Sequence, residues 1–376
     1  MNGAAFNPLR TEHPARLLAL LALAGLLSLL DALQPAREAW GMGWGRGTNA
    51  AGVRSLAVLT QGNAQLSVLV WYPSRRSGGE ARKTDFGDWS VRAEKEAPPL
   101  DGIFPLVLIS HDSIGSALSS HETAAALATQ GFIVITPTHI GDSLENAGGL
   151  YSSALVYHRP LQLRAALAAA RADPLLGERM DAQRIGLLGI GAGALTALQL
   201  CGVDLDAAAY AGYCDGREDD AALCSRWAGE RLAMFAEDLR EIRNRHGQDV
   251  LAQPLPGVMA VGLLTPGWLA FADKQQLSGL RIPSAAFFAG LDELYPPTGE
   301  GLLPDPFLEN LRQETWDTAD HYSLSADCPA SLAKELPERC GALQGDELNR
   351  ARRRRDAFFT AFFRSALLES APSQGK

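Results

Sequence analysis

Residues 185–198 read Ile-Gly-Leu-Leu-Gly-Ile-Gly-Ala-Gly-Ala-Leu-Thr-Ala-Leu. An apolar run breaks into glycines at positions 189, 191 and 193 and continues in helix formers. The pattern predicts a buried strand over 185–188 that turns sharply into a helix over 192–200. A strand that feeds straight into a covering helix is the unit of a parallel α/β sheet. The turn also has the frame of a nucleophile elbow, Gly-x-Ser-x-Gly, with Gly189 and Gly193 as the outer glycines. The central position is Gly191, which has no side chain with which to attack a carbonyl.

The rest of the chain repeats the alternation. Apolar runs at 104–110, 132–136, 258–264 and 284–289 read as buried strands, and 119–130, 159–171 and 350–368 read as helices. Continuous apolar strands separated by helices predict an α/β fold with a mostly parallel central sheet covered on both faces. Two earlier runs, 54–59 and 65–72, flank Gln61-Gly62-Asn63 and read as a hairpin. Residues 74–102 are polar and rich in Gly and Pro, and predict a surface loop. A single domain is expected over 54–370. Residues 216–245 read as a helical insertion and a candidate lid.

The leader bears on location. Arg10 and Arg16 precede Leu17–Leu30, which carries no charge and matches the apolar core of a secretory signal. Residues 1–33 are therefore expected to be a signal peptide or an N-terminal membrane anchor, followed by a Gly- and Ala-rich linker over 34–53. The body is expected to be periplasmic or secreted, with membrane contact only through that segment. Cysteine usage fits an oxidising compartment: Cys214 with Cys224, and Cys328 with Cys340, are disulfide candidates, and Cys201 is left over as a buried thiol. No Cys/His spacing resembles a metal site, and no cofactor is expected. A net charge of −9 argues against a nucleic-acid partner. The run Arg352–Arg355 reads as a solvated helix turn. Which protein partner the chain takes, if any, is not legible in the sequence.

In an open α/β sheet, chemistry collects at the carboxyl ends of the strands. His111-Asp112-Ser113-Ile114-Gly115 follows the strand at 104–110. The elbow follows 185–188, and Asp292-Glu293 follows 284–289. His321 comes later. The order elbow, acid, histidine is that of a Ser–acid–His triad on an α/β-hydrolase fold.

Six stretches carry a resemblance to the dienelactone hydrolase and platelet-activating-factor acetylhydrolase-like esterases. Leu69-Val70-Trp71-Tyr72-Pro73 resembles the family's early "vWYP" strand, and Phe104–Ser116 its "FPLVVLSHGSGGS" stretch. Thr136–Ser143 resembles "APDHPGDS", and Asp181–Gly186 the "DpxRIG" lead into the elbow. Asp292-Glu293 before Pro296-Pro297 resembles the acid loop, and His321 before Cys328 the histidine loop. The resemblance implies an α/β-hydrolase fold, carboxylic-ester hydrolysis, and a small-molecule ester or lipid-like ligand. It places Asp292, with Glu293 as its rival, and His321 at the acid and base positions. By position, the oxyanion-hole N–H groups would be those of Ser113 and Ala192.

The departures fall in the site. The family's elbow reads Gly-His-Ser-x-Gly-Gly; here Ile190 and Gly191 replace the histidine and the serine. Asp112 and Ile114 replace loop glycines, and a carboxylate at 112 pointing inward would oppose a developing oxyanion. His111 is expected to pack beside that loop. Three readings follow: a pseudohydrolase whose fold and pocket persist, an active hydrolase with a displaced nucleophile such as Ser113, and a lyase- or hydratase-like activity using His321 and Asp292 without a covalent step.

Overall fold

A computed structural model of the chain describes residues 49–60, 64–75, 83–148, 153–206, 253–296 and 303–369, with isolated positions between 207 and 252. The leader, most of the expected linker, the Gln61–Asn63 turn, Cys214, Cys224 and most of the 216–245 insertion lie outside the described residues.

Nine strands form one sheet in the order β11-β10-β9-β8-β6-β7-β2-β1-β5. The central strands are β6 (Phe104–Ser110), β7 (Ile133–Pro137), β8 (Met180–Ile190), β9 (Val258–Leu264) and β10 (Ser284–Ala289). They pair in parallel. β6, β7 and β10 are buried at every residue, as strands covered on both faces must be. β1 (Asn49–Leu59) and β2 (Gln65–Arg75) form an antiparallel ribbon, and β2 also runs antiparallel to β7. β1 starts at Asn49, inside the stretch expected to be linker, because Ala51 and Val53 are buried against the sheet.

Helices lie on both faces. On one, α1 (His121–Thr129) and α4 (Gly345–Arg364) share a core with Val107, Ile109, Leu188, Ile190 and Phe287. Side chains alternate along a strand, so Leu106, Leu108 and Leu187 face the other side. There α2 (Ser153–Ala172) and α3 (Gly193–Leu200) pack on the sheet and on each other.

Two expectations need correction, and one strand was unforeseen. The 74–102 loop contains strands β3 (Thr84–Phe86) and β4 (Trp89–Val91), paired as a hairpin, and β5 (Glu94–Lys95), which joins the sheet edge beside β1. Such short strands are too brief to show a period of two. β11 (Leu311–Trp316) adds a polar edge strand that the sequence pattern did not reveal; only one of its residues is fully buried. The Arg352–Arg355 run is only half solvated. Arg352 and Arg355 are 4% and 1% exposed, because positions three apart share one helix face.

Candidate active site

The elbow glycines answer to geometry. β8 turns into α3 so tightly that a Cβ at Gly193 would stand 2.1 Å from the Ser110 carbonyl oxygen, and one at Gly189 2.4 Å from that of Gly193. Gly191 sits at φ +51°, the left-handed conformation that suits glycine. Its N–H donates to the Leu264 carbonyl at 3.0 Å, and its own carbonyl accepts from Gly267 at 2.9 Å. The turn thus has the left-handed centre of an elbow and presents no side chain there.

The acid and histidine loops come to the same strand ends. His321 Nδ1 lies 2.8 Å from Asp292 Oδ2. Asp292 Oδ1 accepts the N–H groups of Leu294 and Tyr295, at 3.0 and 2.8 Å, which leaves Oδ2 aimed at the imidazole. Asp292 is buried, whereas its rival Glu293 is exposed. Tyr295 and Tyr322 stand edge-on to the His321 ring at 5.2 and 4.8 Å.

Asp112 fills the space a side chain at 191 would use. Its Oδ2 lies 2.9 Å from His321 Nε2, and its Oδ1 accepts the Ala192 N–H at 2.7 Å. A Cβ built on Gly191 would stand 1.9 Å from Asp112 Oδ1. The glycine at 191 and the aspartate at 112 are therefore one coupled arrangement: the carboxylate fits because the β-carbon is gone. Burial opposes protonation of His321, but Asp112 and Asp292 outweigh it and push its pKa up to about 9. Burial likewise acts to raise Asp112, yet the His321 cation and the Ala192 N–H hold its carboxyl well below the usual range. His321 thus lies between the Asp112 and Asp292 carboxyl groups, one at each ring nitrogen.

A buried polar network holds the loop that carries Asp112. Arg159 on α2 is 1% exposed and pairs with Asp142 Oδ2 at 2.7 Å. It also donates to the His111 carbonyl. Asp142 Oδ1 accepts the Ser113 hydroxyl at 2.9 Å and the Ile114 N–H at 2.8 Å. The Ser113 hydroxyl is thus bonded to Asp142 rather than to His321. Ile114 is held at φ +59°, costly for a β-branched residue. His111 Nδ1 donates to the Asp112 carbonyl at 2.6 Å while Nε2 accepts the His139 N–H at 2.8 Å. Burial and the nearby Arg159 push His111 down to about 3, so it serves this loop as a neutral imidazole.

A second network holds the histidine loop. Arg352 donates to the Ser323 carbonyl at 3.2 Å, and Arg355 to the carbonyls of Leu324 and Ser325. Arg355 also pairs with Glu122 and Asp356 at 3.0 and 2.9 Å. Cys328 and Cys340 are disulfide-bonded. Cys201 is unpaired and half-buried rather than fully buried, and desolvation pushes its thiol up, away from the reactive thiolate.

Beside Asp112 lies a cavity of about 40 Å³ whose lining includes Trp89, Ile114, Ile190, Tyr322 and Arg339. Trp89 comes from the unforeseen β3–β4 hairpin. Arg339 stacks over Tyr322, 4.9 Å from the ring centre, and donates to the Ser113 carbonyl. Among the described residues no group of His, Cys, Asp and Glu is arranged to hold a metal ion.

Sequence reasoning placed Asp112 in the oxyanion region but missed that it reaches His321. The signal was present in the sequence: Gly191 stands where the resemblance expects a serine, and Asp112 where it expects a glycine. Arg159, Asp142, Arg352 and Arg355 carried no motif that would have marked them as supports of the site.

No protein-family model and no curated protein matches the chain. Among solved structures it is similar to a ferulic acid esterase from Streptomyces cinnamoneus, at 19% identity over 89% of this chain and 94% of that one, with a TM-score of 0.51. It is also similar to a dienelactone hydrolase-like promiscuous phosphotriesterase from metagenomic libraries, at 14% identity over 83% and 99% of the two chains, with a TM-score of 0.44. With its mostly parallel sheet, helices on both faces and an elbow-shaped turn after β8, the chain has an α/β-hydrolase fold.

Proposed function

We propose that this is an extracytoplasmic α/β-hydrolase-fold protein that has lost serine-type ester hydrolysis and keeps a charged small-molecule site in its place. The observation that carries the reading is the contact between Asp112 Oδ1 and the Ala192 N–H at 2.7 Å, in the space above Gly191. An acyl-transfer esterase needs a nucleophile there and an N–H free to receive a developing oxyanion. Here the nucleophile is absent, and a resident anion already occupies the donor. Ser113 does not rescue the reaction, because its hydroxyl is committed to Asp142. A base acting without a covalent step would need His321 Nε2, which Asp112 engages.

The Cys328–Cys340 disulfide and the apolar leader support an oxidising compartment, periplasmic or secreted. Among the described residues no helix is long and apolar enough to cross a membrane. The net charge of −9 favours a small-molecule partner over nucleic acid. The test is treatment of the purified chain with a fluorophosphonate probe and a short-chain p-nitrophenyl ester. Neither labelling nor enzyme-dependent hydrolysis is expected. Stoichiometric labelling of any serine would sink the reading.

A further inference from the structure

We propose that a second cavity, apart from the acid–histidine pair, binds an organic primary ammonium ion, a cationic nitrogen carried on an apolar body. The cavity combines aromatic side chains with two carboxylates, and none of the described residues that line it is basic. This site stands whether or not the first one has lost ester hydrolysis.

The cavity measures about 650 Å³, within the range of small-molecule sites. β2 lends it Val68 and Leu69, both buried. The β3–β4 hairpin lends Phe86, Asp88 and Trp89, and the loop after β7 lends Glu145. Ser116–Leu118 also line it, whereas Ile114 and Gly115 line the smaller cavity beside Asp112. Trp89 lines both, so the two cavities are neighbours.

The walls are held in place without a ligand. Thr84 Oγ1 donates to the Ala93 carbonyl at 2.7 Å and accepts the Lys95 N–H at 3.1 Å, which ties the hairpin to the segment that forms β5. The Trp89 ring stands edge-on to that of His121 at 5.6 Å. Glu145 sits in a turn closed by Ser143 and Asn146, each of which donates its N–H to the other's carbonyl, at 2.9 and 3.1 Å. The Thr138 N–H donates to the Ser67 carbonyl at 2.8 Å and joins that loop to β2. A preformed cavity loses little binding free energy to its own ordering.

Charge and surface decide the ligand class. Asp88 and Glu145 give the cavity two carboxylates, whose field repels an anion and favours a cation. Phe86 and Trp89 add aromatic surface, which attracts a cation and packs against an apolar body. The N–H groups of a primary ammonium are donors only, and carboxylate oxygens are acceptors only, so the two match. An uncharged molecule of the same shape gains the apolar contacts and lacks the ion pairs.

The experiment is calorimetric titration of the full chain, at low salt, with three probes that share one body and differ in charge: phenethylammonium, phenethyl alcohol and phenylpropionate. The ammonium is expected to bind one to one, about tenfold more tightly than the alcohol, and the carboxylate not to bind. Added salt should weaken the ammonium alone. Asp88→Asn combined with Glu145→Gln alters two exposed side chains, so the fold should survive; this variant should erase the preference for the ammonium over the alcohol. Trp89→Leu should weaken both. Alcohol or carboxylate binding as tightly as the ammonium, or no ammonium binding at millimolar concentration, would overturn the proposal. So would an ammonium affinity unmoved in the Asp88→Asn, Glu145→Gln chain when its circular dichroism matches wild type.

Discussion

The two halves of the site have different characters. The acid–base half, Asp292 and His321 on the loops after β10 and β11, has the contacts a hydrolase would give it: a buried carboxylate 2.8 Å from Nδ1 of a buried imidazole. The other half is made by the β8–α3 turn and the loop after β6. Gly191 has a left-handed φ, and the Asp112 carboxylate from the neighbouring loop fills the space a side chain at 191 would take. The contrast teaches that a turn can be fixed by backbone alone, with no side chain at its centre. The left-handed turn at Gly191 is held by hydrogen bonds to Leu264 and Gly267 and by the close approach of Gly193 to Ser110.

This other half depends on its buried ion pair, and that dependence is the easiest part of the contrast to break. Arg159→Met leaves Asp142 buried without its cation and should cost about 3–5 kcal/mol in urea unfolding. It should also release the loop that carries Asp112. A cost near zero would mean that Asp142 does not hold the loop.

Restoring the serine sharpens the contrast. Gly191→Ser drives a Cβ into Asp112 at a positive φ, and roughly 3 kcal/mol should be lost in thermal unfolding. The single variant should hydrolyse p-nitrophenyl acetate poorly. Adding Asp112→Gly removes the clash, returns most of the stability and frees the Ala192 N–H, so ester hydrolysis should emerge in the double variant alone. Strong activity from Gly191→Ser by itself would show that Asp112 does not obstruct the site.

The fold was largely legible in the sequence, because fully buried parallel strands are continuous apolar runs that periodicity can find. β6, β7 and β10 are of this kind, and β9 is buried over its last five residues. β3, β4 and β5 escaped because two or three residues carry no periodic signal, and β11 because an edge strand exposes polar residues. The positions of Asp292, His321 and Gly191 were read from motif order. The partnership of Asp112 with His321 was not, because it depends on a distance across 209 residues of chain. Arg352 and Arg355 were misread for a related reason. A run of four arginines looks uniform in sequence, and only the helix phase sends two of them inward.

The charge coupling also sets a pH signature. His321 has a folded pKa above its unfolded value near 6.5, so its stabilisation is complete below about pH 6.5 and is lost as pH rises through about 9. Asp112, depressed in the fold, contributes above about pH 4, and that contribution is lost on further acidification. The measurement that tests the account most directly is an NMR titration of the His321 imidazole in wild type and in Asp112→Asn. The account predicts an apparent pKa near 9 that falls by a unit or more, on the order of 1.4 kcal/mol of lost interaction per unit, once the 112 carboxylate is neutral. A wild-type value near 6.5, or one unmoved by Asp112→Asn, would contradict the claim that Asp112 occupies the place of a side chain at 191.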